Sequence, residues 1–295
     1  MPVEPPIETP ATLADAYAIL AASTSDAQIT PIAGGTDVMV RITGEIGAPP
    51  TRMVDISRLA ELAGIAVDSG AVEIGARTTY TEIRRSDACR EHLPALVEAA
   101  ATVGAAQIQN RGTLGGNIAN ASPAGDTLPV LLALDAEFIV GGRRGERTIA
   151  AADFWVAYRR TALAPDELIL RVRIPVAGGR EAHFRKIGTR RAQAISKVVL
   201  AVAWRDPIRP AGAAGPRTWS DVRVALGSVA DRPIRAAATE AVLEDAAPTP
   251  ATADAAAEAL AAEIHPIDDV RSTADYRRVV AARALHRMIR DAGGW

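Results

Sequence analysis

Asn110-Arg111-Gly112-Thr113-Leu114-Gly115-Gly116-Asn117-Ile118-Ala119-Asn120 is the stretch on which the reading of this chain turns. It runs on through Ala121-Ser122-Pro123-Ala124-Gly125-Asp126, and a helix is expected only after that. A plain turn does not need about twenty small and polar residues inside an apolar region. A hydroxyl, an apolar residue, two glycines and a polar side chain (Thr113 to Asn117) leave the backbone bare, and bare backbone lets a ligand approach closely. The same recipe stands earlier, in Pro31-Ile32-Ala33-Gly34-Gly35-Thr36-Asp37, where an apolar strand ends in paired glycines, a hydroxyl and a carboxylate. Successive N–H groups in such a turn can form an anion-binding concavity. Thr36 can add a donor. Asp37 would repel a phosphate, so it is expected to cap the following turn or to accept from a sugar or hydroxyl. Either loop alone is weak evidence. The matched pair suggests a pyrophosphate held from two sides. Neither is the Gly-x-Gly-x-x-Gly fingerprint, and no lysine follows the glycines as in a P-loop.

Working outward, residues 13–20 place Leu13, Ala16, Tyr17 and Leu20 on one helical face behind Thr12 as N-cap. Strands are expected at 29–33 and 53–56, and 65–68 and 72–75 flank Ser69-Gly70 as a hairpin. Leu93, Leu96, Val97 and Ala100 mark a second helix, with Pro94 tolerated in its first turn. A third is expected at 127–134, then a strand at 137–140 ended by Gly141-Gly142. Leu168, Leu170, Val172 and Ile174 alternate as in a half-buried strand stopped by Pro175. Beyond Val176-Ala177-Gly178-Gly179 come strands near 182–187, 197–204 and 222–227, a surface loop at 205–218, and helices at 234–243, 252–264 and 273–290. In the last helix Tyr276, Val279, Val280, Ala284 and Met288 read as the core stripe. Strands and helices without a regular βαβα beat predict an α+β fold rather than a doubly wound sheet.

Composition narrows the function. The chain has 295 residues, a net charge of −2 and 48% hydrophobic residues, values of a globular protein with nucleic acid disfavoured as its main partner. The first ten residues lack a basic stretch followed by an apolar core, so no signal peptide is expected and a cytoplasmic location is the default. One cysteine, Cys89, cannot hold an iron–sulfur cluster, and the four scattered histidines, His92, His183, His265 and His286, form no metal-ligand spacing. No metal site and no catalytic acid or base is assigned. Redox chemistry here would use an organic cofactor or a partner's metal. Lys186 is one of only two lysines, and Phe184-Arg185-Lys186-Ile187 reads as a strand; it is either a solvated lysine or a cation set near a cofactor.

The two glycine segments, with Asp126 following Asn117 after a short interval, resemble the FAD-binding segments of the molybdenum hydroxylase family: xanthine dehydrogenases, aldehyde oxidoreductases and the aerobic type of carbon monoxide dehydrogenase. The likeness extends through Met53-Val54-Asp55-Ile56, through Ile74-Gly75-Ala76-Arg77-Thr78-Thr79, and over nearly the whole chain. It implies an FAD-binding region of two α+β subdomains of the PCMH type (1–176, divided near 57) and a C-terminal α+β domain of the CO dehydrogenase flavoprotein type (180–291). It implies FAD contacts at Pro31, Ile32, Ala33, Gly34, Gly35, Thr36, Asp37 and Val38, at Thr113, Leu114, Gly115, Gly116 and Asn117, at Asp126, and at Ile169 and Lys186. It also implies an assembly, with a large subunit holding the molybdenum cofactor, a small subunit carrying 2Fe–2S clusters, and this chain as the medium flavoprotein subunit. The cysteine-bearing insertion of the hydroxybenzoyl-CoA reductase branch is not present in the sequence, and Val103 stands where some relatives place an aromatic residue against the cofactor. A self-sufficient FAD oxidase of related fold, or an interaction subunit that has lost FAD, would be the competing readings.

Overall fold

The computed structural model describes residues 5–24, 26–43, 48–206 and 218–295. The 205–218 loop expectation therefore falls largely outside the described residues.

The N-terminal layer is a three-stranded parallel sheet in the order β1-β3-β2, formed by β1 (Ile7–Glu8), β2 (Thr30–Ile32) and β3 (Met53–Asp55). Pro31 is accommodated because β2 is an edge strand, where a missing ladder N–H costs little. The helix Leu13–Leu20 starts on a capping box, with the Thr12 side chain accepting from the Asp15 amide and the Asp15 carboxylate accepting from the Thr12 amide.

The middle layer is built from β4 (Ile65–Asp68), β5 (Ala71–Gly75), β6 (Glu137–Gly142), β7 (Gly145–Ala150), the small hairpin β8 (Trp155–Ala157) and β9 (Arg160–Thr161), and β10 (Leu168–Pro175). Five of these form an antiparallel sheet in the order β4-β5-β10-β6-β7. Gly141-Gly142 pair within β6 rather than ending it.

The regular alternation expected in β10 hides a change of face. Leu168 and Leu170 pack with Ala16, Leu20, Ile29 and Val54 of the N-terminal layer, whereas Ile169, Val172 and Ile174 join the core on the other side. The register against β6 shifts between Ile169 and Arg171. That bulge inserts one residue and re-aims all that follow. One strand thereby serves two cores.

The C-terminal layer is an antiparallel sheet of β11 (Glu181–Ile187), β12 (Val198–Arg205), β13 (Ser220–Gly227) and β14 (Ile234–Arg235). Residues 234 and 235 are strand, so the expected 234–243 helix starts only at Ala237 (Ala237–Leu243). β12 is apolar from Val198 to Trp204 because both its faces are covered. Val199, Ala201 and Ala203 pack on the middle-layer core, and Val198, Leu200, Val202 and Trp204 pack under the terminal helices. The helix Ala274–Gly293 buries Arg277, Ala281, Leu285, Met288 and Ile289. Tyr276 and Val279, expected in its core stripe, are exposed instead. Arg277 holds the inward position because its guanidinium bonds the Ser228 carbonyl (2.7 Å) and Asp269 (2.6 Å).

Charges tie the last two layers together. Asp135 accepts from Arg180 (2.8 Å), Arg223 (3.2 Å) and Arg235 (3.2 Å) of the C-terminal layer. Phe138, fully buried, stands edge-on to Phe154 (4.7 Å) and Trp155 (5.5 Å) in the middle-layer core. Phe138→Ala should lower the unfolding free energy by about 3–5 kcal/mol, measured by urea denaturation. A loss below about 1 kcal/mol would contradict this packing.

Candidate functional site

The two glycine segments meet. Gly34, at the end of β2, lies so close to the second segment that a Cβ built on it would sit 1.8 Å from the Arg111 carbonyl oxygen. No side chain fits there without parting the two segments. Gly35 follows with φ +78°, a left-handed turn that a β-branched residue resists. The chain then enters the short helix Val38–Ile42. Asp37 precedes that helix but makes no capping bond. Its Oδ1 accepts from the Asn120 amide at 3.0 Å instead.

Leu114–Asn120, expected as loop, is a helix. Thr113 caps it, its Oγ1 accepting from the Gly116 amide at 3.1 Å. The expected row of free amides is therefore largely spent. Leu114 donates to the Thr78 carbonyl, Gly115 to that of Ala76, Gly116 to Thr113 Oγ1 and Asn117 to the Thr113 carbonyl. The glycines serve packing and access. A Cβ on Gly115 would stand 2.6 Å from that of Ala76, and Gly116 lies exposed on the helix's first turn. Thr113 keeps its hydroxyl proton as a donor, since its oxygen is the partner that accepts. Asn117 accepts from Thr127 Oγ1 (2.6 Å) through Oδ1, which leaves its Nδ2 as a donor. The segment 76–80, singled out with the loops, is what anchors them: Thr79 bridges to Thr113, and the Tyr80 amide donates to the Gly112 carbonyl.

Asp126 and Lys186 form one unit, which their sequence separation concealed. The Lys186 ammonium, on β11 and 9% exposed, bonds Asp126 Oδ2 at 2.6 Å and the Thr102 carbonyl at 3.0 Å. It is neither solvated nor an uncompensated cation. Burial outweighs the neighbouring ammonium and pushes the Asp126 carboxyl up to about 6. Its other oxygen, Oδ1, is buried without a partner. Ile169 is a buried core residue at the β10 bulge, and Val103 is partly buried against the same core. Cys89 is buried, which raises its thiol pKa. Among the described residues no group of side chains could hold a metal ion.

Sequence reasoning passed over Asn120 and Arg159. Asn120 closes the helix, and Arg159, at the tip of the β8–β9 hairpin, donates to Asn120 Oδ1 at 3.0 Å. Neither stands next to a glycine pair, so only the folded chain shows them beside Asp37.

The two glycine segments therefore nest at the junction of the N-terminal and middle layers of an α+β fold. The chain belongs to the family described as the FAD binding domain in molybdopterin dehydrogenase, which matches residues 3–177, with residues 183–292 matching the CO dehydrogenase flavoprotein C-terminal domain. It is 31% identical over 284 residues to the carbon monoxide dehydrogenase medium chain of Hydrogenophaga pseudoflava (96% of this chain, 95% of that one). It is 30% identical over 292 residues to a xanthine dehydrogenase FAD-binding subunit of Escherichia coli O157:H7 (96% of each chain). A solved carbon monoxide dehydrogenase from Hydrogenophaga pseudoflava, lacking the Mo-pyranopterin moiety of its molybdenum cofactor, superposes with a TM-score of 0.89 at 32% identity, over 97% of this chain and 96% of that one. The α+β expectation and the family resemblance are both upheld.

The pairing yields a prediction about Lys186. In Lys186→Met the Asp126 carboxyl loses the cation that holds it down, so its pKa should climb above about 6. Carboxyl-carbon NMR titration reads this, and an unchanged or lower value would refute the pair as drawn.

Proposed function

We propose that this chain is the FAD-binding medium subunit of a molybdenum hydroxylase complex. Electrons arrive from 2Fe–2S clusters in a small partner subunit, pass through FAD, and leave to NAD+, O2 or another acceptor. Substrate is oxidised at the molybdenum cofactor of a large partner. The assembly is a heterotrimer that can pair into a dimer of heterotrimers, in the cytoplasm; among the described residues no helix is long and apolar enough to cross a membrane. The division at 1–176 and 180–291, with the first part divided near 57, belongs to the same reading.

The observation that carries the proposal is the absence of a side chain at Gly34, which lets two glycine segments from different layers form one cradle. The groups present fit FAD. Residues 31–38 offer the backbone of a left-handed turn at Gly35. Thr113 offers its hydroxyl proton and Asn117 its Nδ2, beside a bare surface at Gly116. Asp126 has a buried oxygen still lacking a donor, which a hydroxyl or ring N–H of the cofactor would supply. Leu114 and Gly115 hold the helix against 76–78, and Ile169 lies in the same core cluster as Leu114. Bound FAD supplies the redox chemistry, and the chain supplies position and charge.

The Asp126–Lys186 pair decides what removing Lys186 would do to that charge. A lone cation removed near the flavin would lower its reduction potential. A paired lysine is different: once it is lost, Asp126 tends to take up a proton, and the local charge changes little.

The test is to load the purified chain with FAD and offer xanthine, aldehydes, nicotinate and carbon monoxide anaerobically. The chain should bind FAD, and its flavin absorbance should stay unbleached until the cluster and molybdenum subunits are added. Bleaching by any of these compounds in the chain alone would favour a self-sufficient oxidase. No FAD uptake would favour an interaction subunit.

A further inference from the structure

The hairpin β8–β9 turns through Tyr158 and Arg159, and Arg159 is the second residue of that two-residue turn, with φ +52°. A turn with its second central residue left-handed favours glycine there. This chain places an arginine in that position. Strained non-glycine residues persist where the surroundings hold them, and they cluster at ligand clamps. Here the guanidinium donates to Asn120 Oδ1 (3.0 Å), and Asn120 Nδ2 donates to Asp37 Oδ1 (3.0 Å). The three residues belong to three elements: the middle-layer hairpin, the C-terminal end of the helix Leu114–Asn120, and the first glycine turn.

We propose that Arg159, through Asn120, is a clasp that joins the hairpin to the first glycine turn and slows release of the dinucleotide held between the two glycine segments. The proposal rests on the flavoprotein reading. Asp37 stands directly after Gly34-Gly35-Thr36, where its negative charge opposes a pyrophosphate. Arg159 offsets that charge, and Asn120 fixes the orientation of both, its carbonyl toward the cation and its amide toward the carboxylate. Desolvation raises the Asp37 carboxyl pKa, and Arg159 and Asn120 pull it back toward the charged form. Arg159 is thus a positioning residue, acting on the cradle through Asn120 and Asp37.

The strain at Arg159 makes the clasp separable from folding. R159G removes the guanidinium and leaves a residue that adopts the turn freely, so the melting temperature should be unchanged or higher. Wild-type and variant full-length chains are loaded with FAD and diluted, and release is followed by the recovery of free-flavin fluorescence. R159G should release FAD on the order of tenfold faster. N120A should do the same, and the double variant should be no faster than either single one, because the two side chains act as one link. Added salt should speed release from the wild type, where it screens the Arg159–Asp37 attraction, and should not speed it from R159G, where only the Asp37–pyrophosphate repulsion is left to screen. Release from R159G at the wild-type rate would overturn the clasp while leaving the flavoprotein reading intact. Additive effects in the double variant would overturn it as well. A wild-type chain that takes up no FAD would overturn both readings.

Discussion

Everything at the candidate site depends on the approach of Gly34 to the Arg111 carbonyl. Backbone meets backbone there, with no room for a methyl group. The N-terminal sheet brings Gly34 to that point by ending β2 at Ile32, in parallel register with Asp55 of β3. The middle layer brings Arg111 there by hanging 112–115 on 76–80 through main-chain bonds. The two-faced β10 then fixes the distance between layers, since Leu168 and Leu170 seat the N-terminal core while Val172 and Ile174 seat the middle one. A shift of that bulge by one residue would turn the wrong side chains to each core.

The C-terminal layer adds charge. Lys186 reaches out of β11 to Asp126, and Asp135 gathers arginines from β11's approach, β13 and β14. A buried pair of this kind is weak evidence for stability, because desolvation offsets much of the attraction. Its effect is on placement: it fixes Asp126 with one oxygen already committed and one still lacking a donor.

Much of this was legible in the sequence. The hairpin at Ser69-Gly70, the capped first helix and the three long C-terminal strands follow from periodicity and turn chemistry. The glycine segments were legible as a pair, since matched chemistry in two places is rarer than either alone. What stayed hidden has physical causes. Two glycines and two asparagines disguised 114–120, a helix held by its Thr113 cap and by packing of Leu114 and Ile118 rather than by propensity. The β10 bulge left the apolar pattern intact while reversing its meaning. Tyr276 and Val279 obey helical spacing yet face solvent, while Arg277 lies inside with its two terminal guanidinium nitrogens bonded to Ser228 and Asp269. Arg159 gave no signal at all, since its turn lacks the glycine that marks such turns.

The most direct measurement is FAD titration of Gly34→Ala. One methyl group, placed 1.8 Å from the Arg111 oxygen, must part the two segments. With circular dichroism and a cooperative melt showing an otherwise folded chain, the variant should retain no flavin after gel filtration. A folded Gly34→Ala that binds a full equivalent of FAD with wild-type affinity would contradict the two-segment cradle.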